Sequence, residues 1–104
     1  IQGVDNMTKL FVSQPMNGRL NEEILAEREN VIKAVKSTIS DEVEVLDTFF
    51  TDNVERTPLQ NLAKSLDMLS EADVAVFVRG WEHARGCSIE HKCCVEYGID
   101  IIYA

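Results

Sequence analysis

Residues 72–103 read ADVAVFVRGWEHARGCSIEHKCCVEYGIDIIY and predict a strand, a loop, a helix and a second strand. The apolar run 74–78 is too short to cross a membrane and is bounded by polar residues, so it predicts a strand buried on both faces. A glycine-bounded loop follows, and then a helix is predicted over about 86–97. Gly98 is expected to close this helix as a left-handed cap before the second apolar run at 99–103.

Glu90 lies within the apolar face of this predicted helix. At about 100° per residue, one arc holds Glu90 together with Cys87, Ile89, Cys93, Cys94 and Tyr97. A carboxylate there costs free energy unless it is neutralised, paired or hydrogen-bonded, and free N–H groups in a helix's first turns reduce that cost. Two interpretations stay open: a boundary glutamate that reaches solvent, or a carboxylate presented at the mouth of a cleft.

The length of 104 residues indicates one domain with a single core. Residues 1–6 precede a methionine and are predicted to be an expression-tag remnant, which leaves one domain over 7–104. Ten Lys and Arg against 18 Asp and Glu give a net charge of −8, which argues against a nucleic acid or an anionic membrane as partner. A small anionic ligand at a local site stays open.

The three cysteines are an odd number and come with no signal peptide or transmembrane run, so free thiols in a reducing cytoplasm are expected. Cys87, His91 and Cys94 share a side of the predicted helix, and His83 precedes it. A zinc site with His83 as the fourth ligand is therefore one interpretation. Structural zinc sites usually draw paired ligands from two segments, so no metal is predicted. Cys87 at a helix start has the position of an activated thiol, although buried cysteines on a core-facing helix are commoner.

The first unit of the chain is a strand at 9–12, a loop at 13–19 and a long amphipathic helix over about 21–38. Asn21 is the predicted N-cap, and the preceding loop is placed to offer backbone N–H groups to a ligand. The apolar residues at helical spacing are Ile24, Leu25, Val31, Ile32 and Val35.

The second unit begins with a strand at 43–46, whose alternation of apolar and acidic residues indicates a position near the sheet edge. Phe49 and Phe50 follow it and either cover the cleft or pack the sheet, the second being favoured. The sequence TPLQ at 57–60 predicts a capped helix start. The apolar stripe of this helix is Leu59, Leu62, Ala63, Leu66 and Leu69.

The alternation βαβαβαβ predicts an α/β fold: a flavodoxin-like or Rossmann-like three-layer sandwich around a parallel sheet of about four strands in the order 2-1-3-4. In that order the first and third strands are neighbours. The loops 13–19 and 80–86 therefore flank one crevice, and Glu90 is expected to face it.

Four motifs together resemble the nucleoside 2-deoxyribosyltransferase superfamily, which includes the deoxynucleoside 5′-monophosphate N-glycosidases. They are FVSQPMNG at 11–18, LDML at 66–69, ADV at 72–74 and GCSIE at 86–90. The likeness is greatest to a small bacterial and phage branch and covers nearly all of residues 7–103. The resemblance implies a Rossmann-like domain that cleaves or transfers N-glycosidic bonds.

The resemblance also implies roles for individual residues. Glu90 would attack the sugar's anomeric carbon and form a covalent glycosyl-enzyme, a step that suits a carboxylate. Asp67 would orient the sugar or handle a proton, although a solvated residue near a helix end is an equally open interpretation of it. The other binding residues implied for sugar, base or phosphate are Ser13, Gln14, Pro15, Met16, Asn17, Gly18, Trp81, Arg85 and Gly86. For Trp81, which would stack on the base, a role as a lid or packing element is equally open.

Two departures from the family pattern bear on the activity. Active relatives commonly carry a tyrosine, whose hydroxyl contacts the nucleophile, at the position that Phe11 occupies. The loop before Glu90 is more basic here, with His83 and Arg85, and Arg85 would pair either with Glu90 or with a ligand phosphate. The resemblance further implies a homodimer or larger assembly and no cofactor. A nucleotide-binding or sensing module without turnover is the alternative function, and a structural domain is the third.

Overall fold

Four parallel strands form one sheet in the order β2-β1-β3-β4, in a computed structural model that describes residues 7–49 and 53–104. The strands are β1 (Met7–Ser13), β2 (Glu42–Leu46), β3 (Val74–Phe77) and β4 (Asp100–Tyr103). The helices are α1 (Asn21–Lys36), α2 (Pro58–Leu69) and α3 (Arg85–Tyr97), with a 3₁₀ turn over Trp81–His83. The predicted α/β class and strand order are confirmed, whereas the predicted tag remnant and Phe50 lie outside the described residues.

Alternate residues of β1 point to opposite faces of the sheet and divide the core in two. On one face Leu10 and Val12 pack with Val35 of α1. On the other face Phe11 packs with Leu69 of α2 and Cys94 of α3. The sheet therefore lies between α1 on one side and α2 with α3 on the other, which is the predicted three-layer arrangement.

The strand β2 forms one edge of the sheet, as its alternating sequence predicts. Its valines, Val43 and Val45, pack toward α1, whereas Glu42 and Glu44 are exposed. None of the helices in the two described ranges is long and apolar enough to cross a membrane.

The start of α2 is fixed by a reciprocal capping pair. Thr57 Oγ1 accepts a hydrogen bond from the Gln60 backbone N–H at 3.1 Å, and Gln60 Oε1 accepts one from the Thr57 N–H at 2.8 Å. These bonds satisfy two backbone donors that have no partner within the helix, as the TPLQ motif predicts.

Replacing Thr57 with alanine is expected to lower the free energy of unfolding by about 1 kcal/mol, because one of these donors loses its acceptor. Urea denaturation followed by circular dichroism measures the change. Asn61→Ala, an exposed position in the same helix, is the control and should alter stability little. Equal stability of Thr57→Ala and the wild type would contradict the capping role.

The prediction that Asn21 caps α1 is wrong, because the helix already begins at Asn21 and Leu20 occupies the N-cap position. The Leu20 backbone N–H donates to Glu23 Oε1 at 3.1 Å, so a carboxylate one turn on satisfies this donor. The helix also ends at Lys36, two residues before the predicted end. There the hydroxyls of Ser37 and Thr38 donate hydrogen bonds to backbone carbonyls in the last turn of the helix.

The apolar arc of α3 is narrower than its sequence predicts. Cys87, Glu90 and Cys94 are buried, but Ile89 lies at the margin of the buried arc and Tyr97 is 82% exposed. Tyr97 is the last residue of the helix, where the chain turns at Gly98 in the predicted left-handed conformation with φ of 71°. Tyr97 lies at the end of α3, beyond the part of the helix that packs on the sheet. It is therefore exposed, although its angle on the helix matches that of the buried residues.

Candidate functional site

A cleft of about 1510 Å³ opens at the carboxyl edge of the sheet, between the two loops that the strand order brings together. The first loop contributes Gln14, Pro15, Met16, Asn17 and Arg19, and the second contributes Gly80, His83, Ala84, Arg85 and Gly86. Its volume exceeds the roughly 300–1,000 Å³ usual for a small-molecule site, so a ligand of nucleotide size fits with space left. The predicted crevice is present where β1 and β3 end.

Gly80 turns the chain at the start of the second loop. Its backbone has φ of 94°, a conformation that side chains rarely adopt, and a Cβ placed there would lie 3.7 Å from Pro15 Cγ. Glycine is therefore required at this turn for the backbone conformation rather than for space.

Glu90 lines the cleft and is held by Ser13. The Ser13 hydroxyl donates to Glu90 Oε1 at 2.6 Å, and the two residues are 1% and 7% exposed, respectively. The interpretation of Glu90 as a solvated boundary residue is wrong, because its neighbours cover almost all of it. The carboxylate faces the cleft, and the sheet and α3 support it from behind.

Burial raises the pKa of Glu90 to about 7, and the hydrogen bond from Ser13 opposes this shift. Arg85 does not neutralise the carboxylate: it is exposed, and no ion pair joins it to Glu90 among the described residues. Both protonation states of Glu90 are therefore populated near neutral pH, which suits a group that alternates between nucleophile and leaving group or exchanges a proton.

The buried thiols beside Glu90 are poor nucleophiles. Burial, with a smaller contribution from the neighbouring Glu90, raises the pKa of Cys87 and of Cys94 to about 11. All three cysteines, including Cys93, are free thiols. Across residues 7–49 and 53–104 no group of three His, Cys, Asp or Glu side chains is arranged to hold a metal ion. The hypothesis of an activated Cys87 is contradicted, because burial outweighs the effect of its position at the helix start.

Thiol labelling of the native protein at pH 8 is expected to be slow at Cys87 and Cys94. Raising a thiol pKa from 9.0 to about 11 lowers the thiolate fraction about a hundredfold, and burial restricts access as well. Mass spectrometry after maleimide treatment measures each site, with the half-buried Cys93 as the internal reference. Labelling of Cys87 as fast as that of the unfolded protein would contradict the buried, protonated thiol.

The first loop of the cleft is fixed to α1 by a polar network. Gln14 Nε2 donates to Ile24 O at 2.8 Å and to Glu27 Oε1 at 2.9 Å. Arg19 Nη1 donates to the same Glu27 oxygen at 2.7 Å and to Pro15 O at 3.0 Å. Burial raises the pKa of Glu27, but the hydrogen bonds from Arg19 and Gln14 outweigh it and the pKa is lowered on balance. The loop is therefore held in one conformation beside the cleft.

The orientation of the Gln14 amide follows from its partners, because a carbonyl and a carboxylate accept hydrogen bonds and both therefore face its N–H₂ group. Its Oε1 is buried and has no donor among the described residues. Gln14 was predicted as a binding residue from the resemblance, and the structure places it in the cleft wall.

The opposite wall is anchored by a buried arginine. Arg28 is buried on α1, and its guanidinium donates to Thr48 Oγ1 at 3.2 Å and to Leu46 O at 3.3 Å. Thr48 in turn donates to Val12 O at 3.2 Å, which ties the end of β2 to β1. Burial lowers the pKa of Arg28. This network was not predicted from the sequence, although Arg28 lies on the same helix face as the apolar stripe, four residues after Ile24.

Phe49 is half-buried and lines the cleft beyond this anchor, as the interpretation that it covers the cleft predicts. Its backbone N–H donates to Asp47 Oδ1 at 3.0 Å, which turns the chain immediately after β2. This turn directs Phe49 toward the cleft.

Three residues implied by the resemblance do not line the cleft of one chain. Trp81 stacks on His91 with ring centroids 4.0 Å apart and meets the edge of Phe77. Asp67 is exposed on α2, and Gly18 is exposed at the tip of the first loop with φ of 74°. The other implied residues line the cleft or, in the case of Ser13, contact Glu90 directly.

The cleft is basic in a chain of net charge −8. Its described lining contains His83, Arg85 and Arg19, of which Arg19 is already paired with Glu27, and one carboxylate, that of Glu90. The start of α3 also lines it, from Ala84 to Cys87, and no side chain caps these first N–H groups. Free N–H groups at a helix start attract anions, and Arg85 adds a full charge at the same point. The arrangement can therefore hold an anionic group near Glu90.

Neither a protein-family model nor a curated protein matches the chain.

Proposed function

We propose that the protein cleaves or transfers the N-glycosidic bond of a nucleoside or nucleotide, with Glu90 as the nucleophile. The observation that carries the proposal is a carboxylate that is almost completely buried, yet lines a large cleft and accepts a short hydrogen bond from Ser13. Structural carboxylates are rarely buried without a cationic partner, and none is recorded for Glu90 in the described ranges. The motif resemblance points to the same residue.

In the proposed reaction an oxygen of ionised Glu90 attacks C1′ of the sugar while the C1′–N bond breaks and its electron pair leaves with the base. The base takes up a proton, for which His83 is a cleft residue of suitable chemistry. Water or a second base then attacks C1′ and gives its proton back to the group that protonated the leaving base. The bond from C1′ to Glu90 breaks at the same time, and its electron pair returns to the carboxylate. Because the nucleophile must be ionised and its pKa is raised to about 7, kcat/KM is expected to rise as pH increases through this value.

The basic end of the cleft supports a phosphorylated substrate. Arg85 and the uncapped start of α3 lie within about two helical turns of Glu90, which is compatible with a nucleoside 5′-monophosphate whose phosphate and C1′ contact the two positions. We therefore expect 5′-monophosphates to be better substrates than the corresponding nucleosides.

Incubation with matched nucleosides and 5′-monophosphates, in deoxy and ribo forms, tests the proposal. Chromatography should show free base, and addition of a second base distinguishes transfer from hydrolysis. Glu90→Gln analysed in parallel identifies background activity. The absence of base release from the whole panel, at protein concentrations that give a clear signal for binding, would overturn the proposed reaction.

A nucleotide-binding module without turnover is the second candidate, and the position of Asp67 favours it. The carboxylate that the resemblance assigns to sugar orientation or proton handling is exposed and lies outside the cleft of one chain. Thermal stabilisation by a nucleotide without any product would support this function. At a ligand concentration of about 100 times Kd the gain would be about 2.7 kcal/mol.

A homodimer or larger assembly is part of the proposal. Leu59 lines the cleft and is 74% exposed, and such an apolar rim would be covered by a second copy. Light scattering of the purified chain measures the assembly directly, and a monomer at all concentrations would contradict it.

A further inference from the structure

We infer that Ser13 is the positioning residue of Glu90: its hydroxyl fixes one carboxylate oxygen and leaves the other to approach the sugar. The inference rests on the proposed function for its catalytic meaning. The hydrogen bond itself sets the orientation and the protonation of Glu90 whether or not a substrate is bound.

The contact joins two rigid elements. Ser13 is the last residue of β1, and its carbonyl accepts a hydrogen bond from the Val78 N–H at 3.0 Å. Glu90 lies in the second turn of α3 and is 77 residues away in the chain. Because neither residue is on a mobile loop, the hydroxyl and the carboxylate meet in a fixed geometry. The Oγ to Oε1 distance of 2.6 Å is in the range of a charge-assisted bond from a hydroxyl to a carboxylate.

Ser13 is the one recorded donor to this carboxylate among the described residues, and it engages Oε1. With Oε1 held toward β1, Oε2 is the oxygen available to a sugar in the cleft. A hydrogen bond on one oxygen also limits rotation of the carboxyl group, which otherwise costs entropy in the attack.

In the proposed reaction the Ser13 hydroxyl takes the place of the tyrosine hydroxyl that the resemblance implies. Phe11 fills that position and is fully buried in the core with a side chain that has no donor. Ser13 is two residues further along β1 and therefore points to the same face of the sheet, toward α3. Ser13 therefore supplies a hydroxyl two residues closer to the cleft than Phe11, whose side chain has none.

The other titratable groups close to Glu90 do not compete for this hydroxyl near neutral pH. Cys87 and Cys94 both interact with Glu90, and a hydrogen bond from Ser13 opposes part of the rise that burial causes in the pKa of Cys87. Burial nevertheless keeps both thiols protonated, with pKa values of about 11. The ionised carboxylate is therefore the preferred acceptor for the Ser13 proton.

The test is a titration of the Glu90 carboxyl by carbon-detected NMR in the substrate-free protein. The hydrogen bond favours the ionised form, so Ser13→Ala should raise the pKa of Glu90 further, by about one pH unit. Ser13→Cys keeps the volume of the side chain with a much weaker donor and should give the same direction of shift. Ser13→Thr retains a hydroxyl and should return the titration toward that of the wild type. Ser37→Ala, on the exposed end of α1, is the matched control.

Two outcomes are distinguishable. An unchanged Glu90 titration in both Ser13→Ala and Ser13→Cys, with folded spectra, would overturn the inference whatever the activity. A shifted titration in a protein that releases no base would keep the positioning role and reject the proposed reaction instead. With an active protein, the pH profile of kcat/KM should move upward by the same unit in Ser13→Ala, which loss of packing alone would not produce.

Discussion

Glu90→Gln is expected to lose base release by about a thousandfold or more, because an amide cannot form the covalent bond to the sugar that the proposed mechanism requires. The substitution keeps the size and shape of the side chain, and Ser13 can still donate to the amide oxygen. Binding of nucleotide should therefore persist while turnover is lost. Initial rates of base release with a 5′-monophosphate measure the effect.

Glu96→Gln is the matched control for this experiment. Glu96 lies on the same helix but is exposed, and it forms only a surface pair with Lys92 at 3.7 Å. Its loss should leave turnover near the wild-type level, since such pairs contribute a few tenths of a kcal/mol. Full activity of Glu90→Gln would reject Glu90 as the nucleophile.

The same substitution is expected to stabilise the protein at alkaline pH. Folding raises the pKa of Glu90 from 4.5 to about 7, so the folded state binds more protons than the unfolded state between these values. The contribution of the protonated carboxyl is fully present below about 4.5 and is lost as pH rises through about 7. Glutamine stays neutral and avoids this loss. Its advantage should grow with pH to about 3 kcal/mol above pH 7.

Urea denaturation of the wild type and Glu90→Gln at several pH values from 4 to 8.5 measures this difference. Glu29→Gln on the exposed face of α1 serves as the control and should show a difference that hardly varies with pH. A constant difference between Glu90→Gln and the wild type over the whole range would mean that Glu90 is not desolvated in solution.

The architecture was largely predictable because its signals are local. Apolar runs of strand length, helical spacing and the capping motif at 57–60 each report on a few neighbouring residues, and together with the rules of chain connection they predict the sheet order. The failures lie at helix ends. Asn21 is a favoured capping residue by type, but a glutamate at the third helical position satisfied the backbone of Leu20 instead.

The site was predictable only in part, because its contacts join residues that are far apart in the chain. The helical wheel placed Glu90 on the buried face of α3, and the strand order placed two loops at the cleft. The bond between Ser13 and Glu90 depends on how β1 and α3 pack, which no local pattern encodes. Trp81 lies in a short loop without periodicity, so the sequence left open whether it would stack on a base or pack within the protein, and it stacks on His91.

The exposed carboxylates of Glu42 and Glu44 also restrict how separate molecules can join. The outer backbone edge of β2 is open to an additional strand, but a second copy adding its own β2 there would crowd acidic groups of like sign together. Repulsion between these carboxylates is expected to disfavour edge-to-edge growth into fibrils. Any stable association between copies is therefore expected to use helix surfaces and leave this margin in water.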